Sequence, residues 1–225
     1  MSILRLKSLH PETEYAPQWN IPLYQAEWND FEKINAIRDA LLRNEQKFID
    51  ELEVHQDGGT GLGLDSVTSR FGRYNLFHYI DMCPELGELL TFFQKTYVNF
   101  VTEDITAIRD LDIVCWFNVV RKGEKIQEHN HGSGHTSYLS GNFHCDSYNT
   151  VTYYKSPFDP TMASPFNNEK GVVTMFPSYL THGTTEHDSD AERVSIAFDL
   201  RLTDNPYNEF LNAVPFMREE IYKSL

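Results

Sequence analysis

The sequence contains little cysteine and lacks a long apolar run at its start. Its 225 residues include three cysteines, Cys83, Cys115 and Cys145, and no Cys-x-x-Cys spacing. An odd number of cysteines without that spacing favours reduced thiols, so we predict a cytoplasmic location. Residues 1–10 lack an apolar core long enough for a signal peptide or a membrane span.

Positive charge is also scarce. The chain carries 19 lysine and arginine residues against 33 aspartate and glutamate residues, which gives a formal net charge of −14, and it contains no basic run. These numbers argue against nucleic acid or a membrane surface as a partner. An anion would need a local basic pocket in such an acidic chain.

The rest of the composition is that of an ordinary soluble globule, with 40% hydrophobic and 23% charged residues. A chain of this length can bury one sizeable core, so we predict a single domain over residues 1–225. Changes in periodicity divide it into a helical support region (1–105), a β core (106–202) and a helical tail (203–225). Helices followed by strands predict a mainly β, α+β fold. We expect an antiparallel jelly roll, or double-stranded β-helix, with flanking N-terminal helices.

Periodicity and capping residues place the individual helices. A helix capped within residues 29–30 runs toward Glu53, and a second helix begins near Pro84. A short edge strand is predicted at residues 21–27, and a tail helix is predicted to begin at Pro215.

A glycine-rich loop is predicted over residues 57–75. Residues 58–64 read Gly-Gly-Thr-Gly-Leu-Gly-Leu. This segment lacks the Gly-Lys-Ser/Thr ending of a phosphate-binding loop, and no strong strand precedes it, so we interpret it as a flexible loop. Such a loop is compatible with a cover over a pocket.

Two histidines in the β core have the spacing of metal ligands. His129 and His131 are two residues apart, so in an extended segment both imidazoles point to the same side. His182, from a later strand, could complete a facial set of three ligands. His144 and Asp146 form a competing pair with the same spacing.

An arginine and a serine share one face of a predicted strand. Alternation over the strand from Arg193 to Leu202 puts Arg193, Ser195, Ala197 and Asp199 on the same side. A guanidinium beside a hydroxyl can hold a carboxylate. Asn118, in a strand predicted from Leu111, faces a partly polar space. Asn142 lies on a polar face that is either the lining of the same pocket or the solvated side of a sheet.

These motifs resemble those of the iron(II)- and 2-oxoglutarate-dependent oxygenases. The spacing Gly123-x5-His129-x-His131 is similar to that of the prolyl-hydroxylase-like branch. The sequence resembles most closely an uncharacterised bacterial and phage branch, and the resemblance covers roughly residues 80–202. It is carried by Trp116-x-Asn118, Ser140-Gly141, Phe176-Pro177-Ser178, His182-Gly183 and Glu192-Arg193-Val194-Ser195-Ile196. The chain departs from the family pattern at His131, where aspartate is usual.

The resemblance implies a function and a set of cofactors. It implies that His129, His131 and His182 bind Fe(II), with His144 and Asp146 as the alternative pair. It implies that Arg193 and Ser195 hold the far carboxylate of 2-oxoglutarate, with Asn118 and Asn142 as further cofactor-binding residues. The expected reaction hydroxylates a C–H bond of a peptide or small-molecule substrate and releases succinate and CO2.

Two other classes of function stay open at the level of the sequence. A three-histidine jelly-roll dioxygenase that does not use 2-oxoglutarate would suit His131 as a ligand, but it would leave Arg193 without its main role. A non-catalytic metal-binding module is the third class, and the unusual ligand set is the best argument for it.

Overall fold

The computed structural model describes residues 2–159 and 161–225 and contains ten strands and three α-helices in that part of the chain. The helices are α1 (Phe31–Glu51), α2 (Glu85–Glu103) and α3 (Glu219–Ser224). The strands are β1 (Ser2–Lys7), β2 (Asn20–Glu27), β3 (Leu111–Val120), β4 (Leu139–His144), β5 (Val151–Lys155), β6 (Ala163–Asn167), β7 (Val172–Pro177), β8 (His182–Thr184), β9 (Arg193–Leu202) and β10 (Val214–Met217).

The strands form a seven-stranded major sheet and a three-stranded minor sheet. The major sheet has the order β1-β2-β7-β4-β9-β3-β10, the minor sheet has the order β6-β5-β8, and every registered pair of strands is antiparallel. β9 lies between β3 and β4, and its ten residues pair with all ten residues of β3. The predicted jelly roll with flanking helices is confirmed.

The two long helices form where the apolar stripes predict them. The Asp30 carboxylate accepts a hydrogen bond from the backbone N–H of Lys33 at 3.3 Å and thereby caps α1. Both long helices bury their apolar faces, and Phe93 of α2 packs on Phe198 of β9 with ring centroids 4.5 Å apart. Across the described residues, no helix is both long and apolar enough to span a membrane.

Strand β9 separates the helix-facing core from the space between the sheets. Its side chains at positions 194, 196, 198 and 200 are buried in the main apolar core. Arg193, Ser195 and Ala197 instead line a cavity that also touches residues of the minor sheet, such as Thr152 and Thr184. The two-residue period of the strand therefore assigns packing to one face and polar chemistry to the other.

Two element predictions were wrong. Residues 21–27 belong to β2, which lies inside the major sheet between β1 and β7, because β1 supplies a further strand at that edge. Pro215 lies in β10 rather than at a helix start. Phe216 and Met217 of this strand are fully buried against the core, and the Phe216 carbonyl accepts a hydrogen bond from Gln94. Tertiary burial thus overrides the local helix signal, and the tail helix starts later in the chain.

Gly141 of β4 lies opposite Phe198 of β9, so a substitution at this position tests how closely the core is packed. A Cβ atom at this position would lie less than 3.0 Å from three carbons of the Phe198 ring, which is itself buried. We expect Gly141→Ala to lower the free energy of unfolding by about 1–3 kcal/mol, the usual cost of overpacking a core, as measured by urea denaturation.

Gly134→Ala is the matched control, because Gly134 is exposed and no heavy atom lies within 4 Å of its added Cβ. The control should change the free energy of unfolding by less than about 0.5 kcal/mol. Equal stabilities of the two variants would contradict the packing described here.

Candidate functional site

A pair of backbone hydrogen bonds brings two histidine segments together. The N–H of His129 donates to the carbonyl of His182, and the N–H of His182 donates back to the carbonyl of His129, both at 3.0 Å. The N–H of His131 donates to the Ser178 carbonyl at 2.9 Å. These bonds align the segment before residue 131 with the segment that leads into β8, so all three imidazoles enter one space.

The three imidazoles face one another. Their ring centroids are 4.5–5.2 Å apart, and one nitrogen from each ring lies within 4.8 Å of the other two. The alternation predicted for His129 and His131 is therefore realised, and His182 joins them from β8. These three histidines form the group of side chains that could hold a metal ion in the described part of the chain.

Hydrogen bonds fix which nitrogen of each ring points inward. The Nδ1 atom of His129 lies 2.8 Å from the Gln127 carbonyl, and that of His182 lies 3.0 Å from the Leu180 carbonyl. A carbonyl can only accept, so each of these Nδ1 atoms carries the proton, and Nε2 keeps its lone pair. His131 also directs Nδ1 at an acceptor, because this atom lies 2.6 Å from a carboxylate oxygen of Asp199.

The residues fit a divalent transition metal. The Nε2 atom of His131 is buried and has no hydrogen-bond partner among the described residues, as expected for an atom aimed at an ion. Burial, helped by the neighbouring His131, lowers the pKa of His129 to about 4, and burial holds the pKa of His182 well below its usual value. Both rings are thus neutral at pH 7, which is the form that binds metal.

A buried arginine lies in the same cavity. Arg193 is 1% exposed, and its Nε and one terminal nitrogen have no hydrogen-bond partner within the described ranges. The other terminal nitrogen lies 3.5 Å from the Thr184 hydroxyl. Burial lowers the pKa of Arg193 to about 10, against an opposing effect of Asp146, so the guanidinium stays charged at pH 7. This is a cation with unused donors in a buried site.

We call the space around Arg193 and the three imidazoles the inner cavity. Ser195, Asn118 and Asn142 also line it. The Asn118 amide carbonyl accepts from the Thr68 hydroxyl at 2.9 Å, and its NH2 group lies 3.4 Å from the Ser195 hydroxyl. The Asn142 NH2 group donates to the Tyr154 hydroxyl, whereas its carbonyl oxygen has no partner in the described structure.

The alternative pair of metal ligands does not join the imidazole group. His144 lines the inner cavity near Arg193, and its pKa is lowered to about 3 by burial and then by that guanidinium. Asp146 lies beyond the end of β4, where it forms an ion pair with Arg38 at 2.7 Å and accepts a hydrogen bond from the backbone N–H of Val194. His144 and Asp146 therefore lie in different surroundings, and neither belongs to the group of potential metal ligands.

Asp199 is the site residue that the sequence analysis missed. Its carboxylate accepts from His131 at 2.6 Å and from the Ser140 hydroxyl at 2.7 Å. Burial would raise the pKa of Asp199, but His131 and then Ser140 outweigh it and lower the pKa. The alternation along β9 placed Asp199 on the same face as Arg193, and that signal could have identified it.

A second space, which we call the outer cavity, also borders His129 and His131. It has a volume of about 250 Å³ and is lined in part by Trp116, Phe71 and Arg201. The glycine-rich loop lies against it, because a Cβ at Gly59 would be 3.4 Å from the His129 side chain. Asp57 holds this loop by accepting hydrogen bonds from the backbone N–H groups of residues 61 and 63.

Comparison with protein families and with curated proteins gives one match. The family described as "Putative 2OG-Fe(II) oxygenase" matches residues 114–199, which include all three imidazoles, Arg193 and Ser195. No curated protein matches the sequence. The predicted resemblance to the iron(II)- and 2-oxoglutarate-dependent oxygenase superfamily is confirmed.

Solved structures of low sequence identity share the fold. A prolyl-4-hydroxylase from Pseudomonas putida has a TM-score of 0.56 at 12% identity and covers 80% of this chain and 92% of its own. The carbocyclase SnoK of nogalamycin biosynthesis has a TM-score of 0.55 at 10% identity, with coverages of 88% and 90%. HygX from Streptomyces hygroscopicus, solved with nickel and 2-oxoglutarate, has a TM-score of 0.51 at 11% identity, with coverages of 81% and 82%. These likenesses identify the jelly roll.

The third metal ligand can be tested by comparing two substitutions. His131→Ala should remove most divalent metal binding, because it deletes one of three convergent nitrogens. Asp146→Asn should leave metal affinity unchanged, because Asp146 contacts Arg38 and the backbone of β9 instead. Calorimetric titration of the metal-free proteins with Co(II) measures both. Loss of metal in the Asp146 variant alone would assign the site to the alternative pair.

The buried His144 predicts a pH dependence of stability. Because its pKa is about 3 in the folded protein and about 6.5 in an unfolded chain, the unfolded state binds the additional proton between these values. His144 should therefore reduce the free energy of unfolding as pH falls, by about 2 kcal/mol between pH 7 and pH 5.

Urea denaturation of the wild type and of His144→Asn at pH 7 and pH 5 measures this effect. The variant should lose less stability than the wild type over that interval, because it lacks the titrating group. Equal losses in the two proteins would show that His144 is not held neutral by the fold.

Proposed function

We propose that the protein is an Fe(II)- and 2-oxoglutarate-dependent dioxygenase that hydroxylates a C–H bond of a peptide or small-molecule substrate. The observation that carries the proposal is the buried guanidinium of Arg193, with unused donors, in the same cavity as three convergent imidazoles. One cavity thus offers a metal site and a separate anion site.

The free-energy cost of burying a charge explains why Arg193 favours binding of an anionic ligand. A buried cation without a partner costs several kcal/mol, and a carboxylate held by a guanidinium offsets that cost. A dicarboxylic 2-oxo acid has one end that chelates a metal and another that carries a free carboxylate. The two sites of the inner cavity match these two ends. A three-histidine dioxygenase without 2-oxoglutarate, or a metal-binding module, would leave Arg193 unsatisfied.

The residues of the chain take distinct roles in this proposal. His129, His131 and His182 hold Fe(II) through Nε2. Arg193 and Ser195 hold the far carboxylate of 2-oxoglutarate, and Asn118 and Asn142 contribute further polar contacts in the inner cavity. When bound, iron and 2-oxoglutarate together supply oxidation of a C–H bond by dioxygen, with release of succinate and CO2.

The protein orients these groups and limits the access of water. Trp116 stacks on the ring of His131 with centroids 5.7 Å apart, and Phe176 and Tyr154 contact the ring of His182. The aromatic contacts and the Nδ1 hydrogen bonds restrain the rings in one orientation, which a metal site requires. Close packing also shields the inner cavity from bulk solvent.

The outer cavity is the proposed entry for the substrate. It borders His129 and His131 and is large enough for a small molecule or one residue of a peptide. One of the solved structures named above is a prolyl-4-hydroxylase and another is a carbocyclase, so the proposal keeps both a peptide and a small molecule as substrate classes. The net charge of −14 supports a partner other than nucleic acid or a membrane.

A cytoplasmic location and a single catalytic domain over residues 1–225 complete the proposal. The three cysteines, at positions 83, 115 and 145, are free and buried, which supports a reducing compartment. Both N-terminal helices and the first two strands pack onto the same core as β9, which supports one domain.

Substitution of Arg193 tests the proposed role of the inner cavity. A charged hydrogen-bonded pair contributes about 1.5–3 kcal/mol, so Arg193→Ala should weaken 2-oxoglutarate binding about ten- to a hundredfold or more. Arg193→Lys should also weaken it, because an ammonium cannot donate two parallel hydrogen bonds. Anaerobic calorimetric titration of 2-oxoglutarate into the Fe(II)-loaded proteins measures these affinities.

Arg201→Ala is the matched control. Arg201 lies on the same strand as Arg193 but lines the outer cavity, so its removal should leave 2-oxoglutarate affinity within about twofold. Release of succinate by the wild type, on addition of Fe(II), 2-oxoglutarate and air, provides the activity readout. Identical titrations of wild type and Arg193→Ala would contradict the proposal and make Arg193 a structural residue.

A further inference from the structure

A partly buried carboxylate accepts a hydrogen bond from His131, the unusual ligand of the imidazole group. His131 occupies the position at which aspartate is usual in the oxygenase family that the sequence resembles. An oxygen of Asp199 lies 2.6 Å from Nδ1 of this histidine, and the two side chains are 16% and 7% exposed. The ligand position thus lacks a carboxylate, but a carboxylate is present one hydrogen bond further from the metal.

Two serines hold Asp199 in place. The carboxylate can only accept, so the Ser140 hydroxyl donates to it across 2.7 Å. The Ser178 hydroxyl lies 2.9 Å from that of Ser140 and extends the network to the turn that follows β7. Ser140 and Ser178 are both buried. Ser140 therefore contacts the same carboxylate oxygen that accepts from His131, and this second hydrogen bond helps to hold that oxygen in place.

A purely structural ion pair does not account for Asp199. Among the ion pairs of residues 2–159 and 161–225, the one formed by Asp199 is with His131. Arg201, two residues further along β9, directs its Nε to the side-chain oxygen of Asn208 at 2.9 Å. The ion-pair partner of this partly buried carboxylate is thus the proposed metal ligand His131.

We infer that Asp199 is a positioning residue that gives this three-histidine site the negative charge which a ligating aspartate supplies elsewhere. The inference rests on the proposed function. Three neutral imidazoles leave the full +2 charge of the ion uncompensated, whereas the carboxylate of Asp199 reduces the local charge to +1. Its hydrogen bond also fixes the His131 tautomer and makes the Nε2 lone pair a stronger donor.

Removal of the charge with little change of shape tests the inference. Asp199→Asn should weaken Co(II) binding about ten- to a hundredfold, the usual effect of changing a partner of a metal-binding histidine. Calorimetric titration of the metal-free protein at pH 7 gives the affinity. The visible absorption of bound Co(II) should also shift, because the donor strength of His131 changes. A residue with a merely structural role would alter neither the spectrum nor the affinity of the folded protein.

Asp112→Asn is the matched control. The Asp112 side chain is 15% exposed and forms an ion pair with Arg218 at 2.5 Å, so the variant removes an equally buried charge that does not contact a histidine. Its Co(II) affinity and spectrum should equal those of the wild type. An equal loss in both variants would attribute the effect to general destabilisation and overturn the inference.

In a His131→Asp background, Asp199→Asn should no longer weaken Co(II) binding. In the His131→Asp background the metal site gains a carboxylate ligand, and Asp199 then faces a like charge. Adding Asp199→Asn to that background should leave Co(II) affinity unchanged or increase it. A tenfold loss in this background as well would overturn the inference, because the effect would not depend on the imidazole.

The outcomes separate this inference from the proposed function. If the wild type binds no Co(II), the proposed metal site fails, and the inference fails with it. If the wild type binds Co(II) and Asp199→Asn binds it equally well, the inference alone is wrong. Should Asp199→Asn fail to fold, Ser140→Ala removes the bond that orients the carboxylate and should weaken Co(II) binding severalfold. Unchanged affinity in that variant would overturn the inference.

Discussion

The register of β9 in the major sheet is the constraint on which the site depends. β9 pairs with β3 on one side and β4 on the other, and its side chains alternate between the apolar core and the cavity. A slip of one residue would exchange the two faces, so Arg193, Ser195 and Asp199 would enter the core and Phe198 would enter the cavity. The burial of the apolar face under the helices therefore also fixes the position of every polar group on the other face.

Backbone pairing has a second role at the imidazole group. The reciprocal bonds between His129 and His182 place the rings, and nearby carbonyls take the Nδ1 protons of both. His131 differs, because a side-chain carboxylate takes its Nδ1 proton. The site thus combines two neutral histidines held by neutral acceptors with one histidine held by a charged acceptor. That asymmetry gives the metal site an internal source of negative charge.

The charge of the whole chain and the charge of the site differ in sign for a physical reason. Most acidic side chains are solvated, and solvent screens them, whereas Arg193 lies in a buried space where interactions are strong. A guanidinium with free donors in such a space attracts a small anion in spite of a net charge of −14. Its burial also destabilises the protein without an anion, which links folding stability to occupancy of the inner cavity.

Local sequence patterns determined the main elements and much of the site. The strand Arg193–Leu202 has the bounds that alternation predicts, and the strand Leu111–Val120 begins where it predicts. The spacing of His129 and His131 placed two rings on one side. Patterns of this kind encode which residues of one segment share a face. They do not encode which segments meet. The hydrogen bond from His131 to Asp199 spans 68 positions, and only the tertiary structure decided it, because long-range strand pairing brings those two faces together.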